Sequence, residues 1–425
     1  MHAEASRITS CRICGNKNLV SLLNLGDQAL TGVFPKNKDE VITFGPLELV
    51  KCQEDKNNST CGLVQLAHTY PKEEMYNNHY GYRSGLNKLM LDHLGDKAEK
   101  IKKIIELNPG DIVVDIGSND SSFLKNFDSS LTLVGIDPTG FKEYYPDHIS
   151  LLPHFFNADL IKKDFADKKV KLVTSIAMFY DLDRPLDFVK DIYDILAPDG
   201  VWVTEQSYLP AMLEANSFDT ICHEHLEYYC LKQIKWVADK VGLKIVGVEF
   251  NDINGGSFSV MMAKKNSSLK EDIKLSEEIL NKEYENEMST NKPVQDLNDR
   301  LAKMKDDLLV FLKGVKSKGK MIMGYGASTK GNVLLQFCGI TSDLLPFIGE
   351  VNPSKFGSFT PGTFISIIDE KEVKRMKPDY LLVLPWHFRK IILEKEKEYM
   401  KGGGVLVFPL PTLELVGGDT IQKIF

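Results

Sequence analysis

His223-Glu224-His225-Leu226-Glu227-Tyr228-Tyr229 sets two imidazoles, two carboxylates and two phenols in one short run. An apolar helix face does not carry such a set, because each polar group needs a partner once it leaves water. The composition is that of a proton-transfer site, a base with hydroxyl donors beside it. Read as a helix, the run puts His225 on one face with Tyr228 and Tyr229, at i+3 and i+4. A zinc-protease motif is excluded, since it needs histidines at i and i+4 and these stand two apart. The competing reading is a solvated, polar helix end.

Cys11-Arg12-Ile13-Cys14-Gly15 has the spacing of a zinc knuckle, two thiolates that grip one metal with a glycine for the tight backbone. Cys52 and Cys61 supply a second pair, and the longer gap between them requires Lys51 to Thr60 to loop out. Four cysteines in this short N-terminal stretch predict a zinc site with four sulfur ligands; the alternative is two unrelated thiol pairs. Such a site keeps no open coordination position, so its metal is structural.

Asp115-Ile116-Gly117-Ser118-Asn119-Asp120 follows an apolar strand and has the composition of a ligand-binding turn. Gly117 lets the backbone approach a ligand, and Ser118, Asn119 and Asp120 supply polar atoms. Asp137 ends the next strand, where a carboxylate can hold ribose hydroxyls. Asp159 is a candidate adenine contact, and Ser175 completes the set at the end of a third strand. The Gly-x-Gly-x-x-Gly dinucleotide fingerprint is absent. The arrangement looks like a class I S-adenosylmethionine methyltransferase.

The elements that must position these residues alternate. A helical pattern from Leu86 to Leu107 precedes strands at Ile112–Ile116, Leu131–Ile136, Val170–Ser175 and Val201–Glu205, with helices between them, one at Leu186–Leu196. Lys244–Val248 and Ser257–Met262 close the sheet. Residues 266–318 read as one long amphipathic connecting helix with a stripe of Leu301, Met304, Leu308, Phe311 and Leu312. A second, smaller α/β unit follows, with strands near Lys320–Met323, Leu344–Ile348, Tyr380–Leu384 and Val405–Phe408. The predicted fold is α/β: a central doubly wound Rossmann-like methyltransferase sheet, a small N-terminal zinc-binding domain and a C-terminal Rossmann-like α/β domain. The expected divisions are 1–75, 76–265, 266–318 and 319–425.

The chain has 425 residues, 43% of them hydrophobic and 26% charged, with a net charge of −7. That size calls for several domains, and the acidic balance argues against nucleic-acid binding. No leader or membrane span is read, so a cytoplasmic protein with no membrane partner, a monomer, is expected. An odd number of cysteines, seven, points to thiols and metal, not disulfides.

Several motifs together resemble the sugar C-methyltransferase family of deoxysugar biosynthesis. They are the four N-terminal cysteines, Tyr80-Gly81-Tyr82-Arg83-Ser84, Ile116-Gly117-Ser118-Asn119-Asp120, the His223–Tyr229 run, and Tyr325-Gly326-Ala327-Ser328-Thr329-Lys330-Gly331-Asn332. The resemblance spans nearly the whole chain. It implies His225 as the base that takes a proton beside a ketone, with Glu224 as its active-site partner. Tyr80 and Tyr82 are then catalytic residues lining the sugar pocket. Arg83, Ser84, His223, Tyr228 and Tyr229 are expected to contact substrate. Lys330 and Asn332, at a strand-to-helix turn, are expected to hold the diphosphate. The implied cofactors are S-adenosylmethionine and structural zinc, and the implied partner is a nucleotide-diphospho-keto-deoxysugar. Three positions depart from the family pattern: Cys222 replaces a frequent tyrosine, Asp181 a frequent histidine and Ser121 a frequent glycine.

Two other functions fit parts of the sequence. A nicotinamide-dependent sugar-nucleotide oxidoreductase would use the Gly324–Gly331 turn, but no acidic ribose partner stands at a convincing distance from it. A catalytically degenerate sugar-nucleotide-binding protein would explain Cys222 and Asp181.

Overall fold

The computed structural model describes residues 5–55, 59–76, 83–139, 141–165, 168–417 and 420–423. The chain opens with an antiparallel meander of β1 (Leu19–Ala29), β2 (Phe44–Cys52) and β3 (Val64–Leu66). Helix α1 (Lys88–Ile104) starts where the Asn87 side chain accepts from Leu89 N, and it buries Met90, Leu94, Ala98 and Ile101. The spacing of these residues is that of one helix face.

The central unit continues with β4 (Ile112–Ile116), β5 (Thr132–Ile136), β6 (Ile149–Leu152), α2 (Ala158–Phe165), β7 (Val170–Ile176), α3 (Pro185–Ile195) and β8 (Leu196–Ser207). After them come β9 (Glu227–Tyr228), α4 (Leu231–Val241), β10 (Leu243–Asn251) and β11 (Ser257–Lys264). Seven of these strands form a sheet in the order β6-β5-β4-β7-β8-β11-β10. Strands β4 to β8 pair in parallel, and β11 runs antiparallel to both its neighbours. All five residues of β4 are buried, as expected for a strand covered on both faces.

Two expectations are corrected. The His223–Tyr229 run is not helical: it makes a turn at His223 and Glu224 and enters β9. Strand β9 pairs antiparallel with β3, Glu227 opposite Gln65 and Tyr228 opposite Val64. Leu66 N also donates to Leu226 O at 2.8 Å. The free edge of β3 satisfies the backbone of this run, which a helix of so few residues would not do at its ends. The connector is two helices, α5 (Ile273–Glu285) and α6 (Lys292–Ser317), not one. Pro293 stands in the first turn of α6, where its missing N–H is harmless; inside a continuous helix it would break the ladder. The predicted stripe survives, with Leu301, Leu308 and Leu312 buried.

The C-terminal unit contains β12 (Ile322–Tyr325), α7 (Thr329–Cys338), β13 (Phe347–Glu350), β14 (Ser366–Asp369), β15 (Tyr380–Val383), β16 (Val405–Phe408), β17 (Glu414–Gly417) and β18 (Thr420–Lys423). Its sheet order is β14-β13-β12-β15-β16-β17-β18, parallel as far as β16. The core ignores the linear divisions: one apolar cluster runs from Leu47 and Leu49 through Ile221 and Leu226 to Leu308 of α6 and Leu382 of β15.

Candidate active site

A cavity of about 220 Å³ opens at the carboxyl ends of β4, β5 and β7. It lies where the strand order reverses, the usual ligand position in an open α/β sheet. Asp115, Gly117, Ser118, Asn119 and Asp137 line it, with an apolar wall that includes Phe123, Phe155, Phe156 and Phe188. Gly117 has φ +72°, and a Cβ there would lie 2.9 Å from Met178 Cγ. Asp115 accepts from Thr174 Oγ1 at 2.6 Å, and burial pushes its carboxyl up to about 7. Asp137 accepts from Asn119 N and Thr139 N, both at 2.8 Å, and from Thr139 Oγ1. Among the described residues Asp137 Oδ2 accepts only the Asn119 bond, so it keeps a lone pair for a ribose hydroxyl. A carboxylate at a strand end beside an aromatic wall suits a nucleoside, and the site fits S-adenosylmethionine.

Asp120, Ser175 and Asp159, also expected at the cofactor, do not line the cavity. Asn119 Oδ1 accepts from Ser84 N at 3.0 Å, and Asp120 accepts from Gly85 N at 2.9 Å and Ser122 Oγ at 2.5 Å. Asp120 therefore holds the 84–85 segment. Arg83 lies over the Tyr144 ring at 4.3 Å with Nε 3.7 Å from Asp120, away from the cavity wall, whereas Ser84 lines the cofactor cavity. Ser175 is fully buried and accepts from Trp202 Nε1 at 2.9 Å. The Asp159 side chain is 93% exposed and lies outside the cavity; His154, Phe155 and Phe156, just before it, line the cavity instead.

His225 sits beyond Tyr180, whose ring meets it edge-on at 4.5 Å. Asp181, the next residue, lines the cofactor cavity, so the Tyr180–Asp181 step stands between donor site and imidazole. His225 Nδ1 lies 2.7 Å from Thr220 O. A carbonyl only accepts, so Nδ1 carries the hydrogen and Nε2 the lone pair. Burial pushes the imidazole down to about 4, with the Lys330 charge acting in the same direction. Glu224 is buried and accepts from Thr31 Oγ1 at 3.5 Å. Burial raises the Glu224 carboxyl, and burial and the Glu224 charge hold Asp181 well above the usual carboxylate range. Cys222 is buried beside them, its thiol raised by burial and by Glu224.

The rest of the run does other work. His223 is fully buried and meets Tyr70 edge-on at 4.6 Å, a packing position at the N-terminal unit. Tyr229 is fully buried and stacks on Phe179 at 5.2 Å. Tyr228 lines a small cavity with His225, Tyr180 and Thr220. Tyr80 and Tyr82 lie outside the described residues.

Cys11, Cys14, Cys52 and Cys61 converge, with all four sulfurs within 4.8 Å of one another. Cys11 to Cys61 and Cys14 to Cys52 are each 3.5 Å apart. Four sulfurs at ~2.3 Å from one zinc require edges close to these values, so the site fits a tetrahedral structural metal.

The C-terminal turn supplies a half-buried cation. Lys330 Nζ donates to Asn254 O at 2.8 Å, and Asp219 is the opposing charge that acts on it most. Asp219 itself accepts from Trp386 Nε1 at 2.7 Å. Asn332 is buried and donates to Thr31 O at 2.8 Å, tying α7 to the N-terminal unit. Sequence reasoning missed Thr31, Asp219, Trp386 and Glu350. Glu350 does end the second strand of this unit, the ribose position of a nicotinamide site. It accepts instead from Ala327 N, Val351 N and Asn352 N at 2.8, 2.7 and 2.8 Å, so its oxygens serve the turn.

Three family models match in succession: a zinc binding domain at residues 11–76, a methyltransferase domain at 89–248 and a C-methyltransferase C-terminal domain at 252–411. C-methyltransferase NovU of Streptomyces niveus is 28% identical over 421 residues, covering 97% of this chain and 98% of that protein. A chain in the complex of the Haloferax volcanii Trm112 methyltransferase activator with a methyltransferase aligns at 17% identity, with a TM-score of 0.35, over 42% of this chain and 93% of its own. The cyclopropane synthase MmaA2 from Mycobacterium tuberculosis aligns at 14% identity, with a TM-score of 0.33, over 40% of this chain and 83% of its own. Among the described residues no helix is long and apolar enough to cross a membrane. The three matched domains in order, with the four-cysteine cluster and the cavity at the strand ends, make this chain an S-adenosylmethionine-dependent C-methyltransferase with an N-terminal zinc-binding domain.

Proposed function

We propose that the enzyme methylates the carbon beside the ketone of a nucleotide-diphospho-keto-deoxysugar, with His225 as the base. The observation that carries this reading is the pinned tautomer: Nδ1 is committed to Thr220 O, and Nε2 keeps its lone pair. Burial keeps the ring neutral across the physiological range. A C–H beside a carbonyl is a weak acid, so its removal needs an aligned base and a stabilised enolate. Nε2 takes the proton, and the enolate carbon would bond to the methyl group as the bond from that methyl to the sulfonium sulfur breaks, with S-adenosylhomocysteine as the leaving group.

Lys330, with the N-terminus of α7, gives a place for the diphosphate. Its neutralisation there would also remove one of the influences that hold the imidazole down. In this reading residues 76–265 hold the donor and residues 319–425 the nucleotide, and the chain works as a cytoplasmic monomer. The test uses methyl-labelled S-adenosylmethionine with thymidine- and guanosine-diphosphate keto sugars. His225→Asn should abolish label transfer while S-adenosylhomocysteine affinity, read by calorimetry, stays within about twofold. Undiminished turnover in the variant defeats the reading.

A further inference from the structure

The strand that follows His225 belongs to a sheet whose other members come from the first 66 residues. Strand β9 completes the order β9-β3-β2-β1. One side chain joins this junction to the metal site. Arg12 lies between the ligands Cys11 and Cys14, and its side chain is 3% exposed. Its Nη1 donates to Leu66 O at 2.5 Å and to Gln65 Oε1 at 3.5 Å. Its Nη2 donates to His68 O at 3.0 Å and to Thr69 Oγ1 at 2.8 Å. Its Nε faces Glu227 Oε1 at 3.8 Å, and the Glu227 side chain is 0% exposed. The backbone of Arg12 adds a bond from N to Gln65 Oε1 at 3.1 Å, and Gln65 is the residue opposite Glu227 across β3 and β9.

Both Nη groups are therefore spent on β3 and the residues just after it, while Nε meets β9 only as a buried charge contact with Glu227, without a hydrogen bond. Lysine has three donors on a single point and cannot reproduce that geometry. The strand it braces is short, and His225 hangs from one end of it. Leu226 is bonded on both sides, its N to Tyr180 O at 2.8 Å and its O from Leu66 N at 2.8 Å. On its other side His225 closes a turn through its N to Cys222 O at 3.1 Å. A shift of β9 along or away from β3 displaces the imidazole against Thr220 O, the contact that sets its tautomer.

We propose that Arg12 is a positioning residue for His225: seated in the zinc knuckle, it fixes β3, the strand on which β9 pairs, sets its charge beside Glu227 of β9, and so transmits the state of the four-cysteine site to the imidazole. The zinc then serves methyl transfer mechanically, since a site closed by four thiolates has no open position for substrate. The proposal rests on the reading of His225 as the base.

The test compares Arg12→Lys, Arg12→Gln and Glu227→Gln in the full zinc-loaded chain. Zinc content and S-adenosylhomocysteine affinity should stay within about twofold of wild type, and kcat should fall by roughly 10- to 100-fold, with the KM for the donor unchanged. Lysine should retain more activity than glutamine. In protein labelled with nitrogen-15 at histidine, the Nδ1 and Nε2 signals of His225, assigned by their absence in His225→Asn, should move or broaden in all three variants. Chelating zinc from wild type should produce the same change in those signals.

Wild-type kcat in the arginine variants overturns the proposal. So does a loss of kcat with His225 signals unmoved, or a loss that vanishes well below the melting temperature. If an arginine variant fails to fold, Glu227→Gln tests the same contact from its other end, and wild-type kcat there overturns the proposal equally. Should His225→Asn remain active, the base assignment falls, while the nitrogen signals still report whether the knuckle moves that ring.

Discussion

Glu224 lies against the backbone of Gly32, closer than any side chain but glycine's permits. A Cβ at Gly32 would stand 2.7 Å from Glu224 Oε1. Gly32→Ala should therefore push the carboxyl out of place and lower kcat by about 10-fold or more, with S-adenosylhomocysteine affinity unchanged by calorimetry. A second residue gives a pH signature. Asp115 has its carboxyl raised from 3.8 to about 7 by burial. Below 3.8 both folded and unfolded chains hold that proton; as pH rises through the window to about 7, only the unfolded chain releases it, so stability is lost. Asp115→Asn keeps the acceptor for Thr174 and removes the titration. Urea unfolding should show it more stable than wild type at pH 8, on the order of 3 kcal/mol, with the gain gone below pH 4. His223 and His225, both lowered from 6.5 to about 4 by burial, run the other way. The unfolded chain takes up their protons as pH falls from 6.5 towards 4, so they cost stability in acid. The convergence of the four cysteines and the place of Asp115 and Asp137 at strand ends were legible, because these residue types have few other reasons to gather. Asp159 and Ser175 misled because a strand-end position does not say whether a side chain faces the ligand, the solvent or the sheet.

Among the elements, strands of the central sheet were readable because a strand buried on both faces is an uninterrupted apolar run. The His223–Tyr229 run was not, since helical spacing and strand pairing compete and only a distant edge, that of β3, decides between them. The break between α5 and α6 has a similar distant cause. Lys51, 1% exposed, donates to Met288 O at 2.9 Å and to Thr290 O at 2.5 Å. It thus fixes the residues between the two helices to the N-terminal sheet. Lys51→Met keeps the volume but leaves both carbonyls without their donor. A loss of about 1–3 kcal/mol is expected in equilibrium unfolding, with zinc content unchanged. Unaltered stability would mean that water replaces the ammonium there without cost.

For the molecule as a whole, three regions legible in order along the sequence prove to share cores and strands in space. The cluster that unites Leu49, Leu226, Leu308 and Leu382 joins the N-terminal sheet, the His223–Tyr229 run, the connector and the C-terminal sheet. Metal removal should accordingly be felt well beyond the cysteines. Chelation should lower the melting temperature of the entire chain in a single transition, reversed by one equivalent of zinc. A separate, early transition confined to the N-terminal region would show instead that it unfolds on its own. Linear order is a poor guide to sheet membership when a strand of two residues crosses between units. Anyone building chimaeras from such enzymes meets the practical side of this. Exchanging only the first seventy-five residues with those of a relative removes three members of a four-stranded sheet and strands the last among foreign neighbours. A graft that carries residues 222–229 along with the cysteines keeps all four strands of that sheet from one parent.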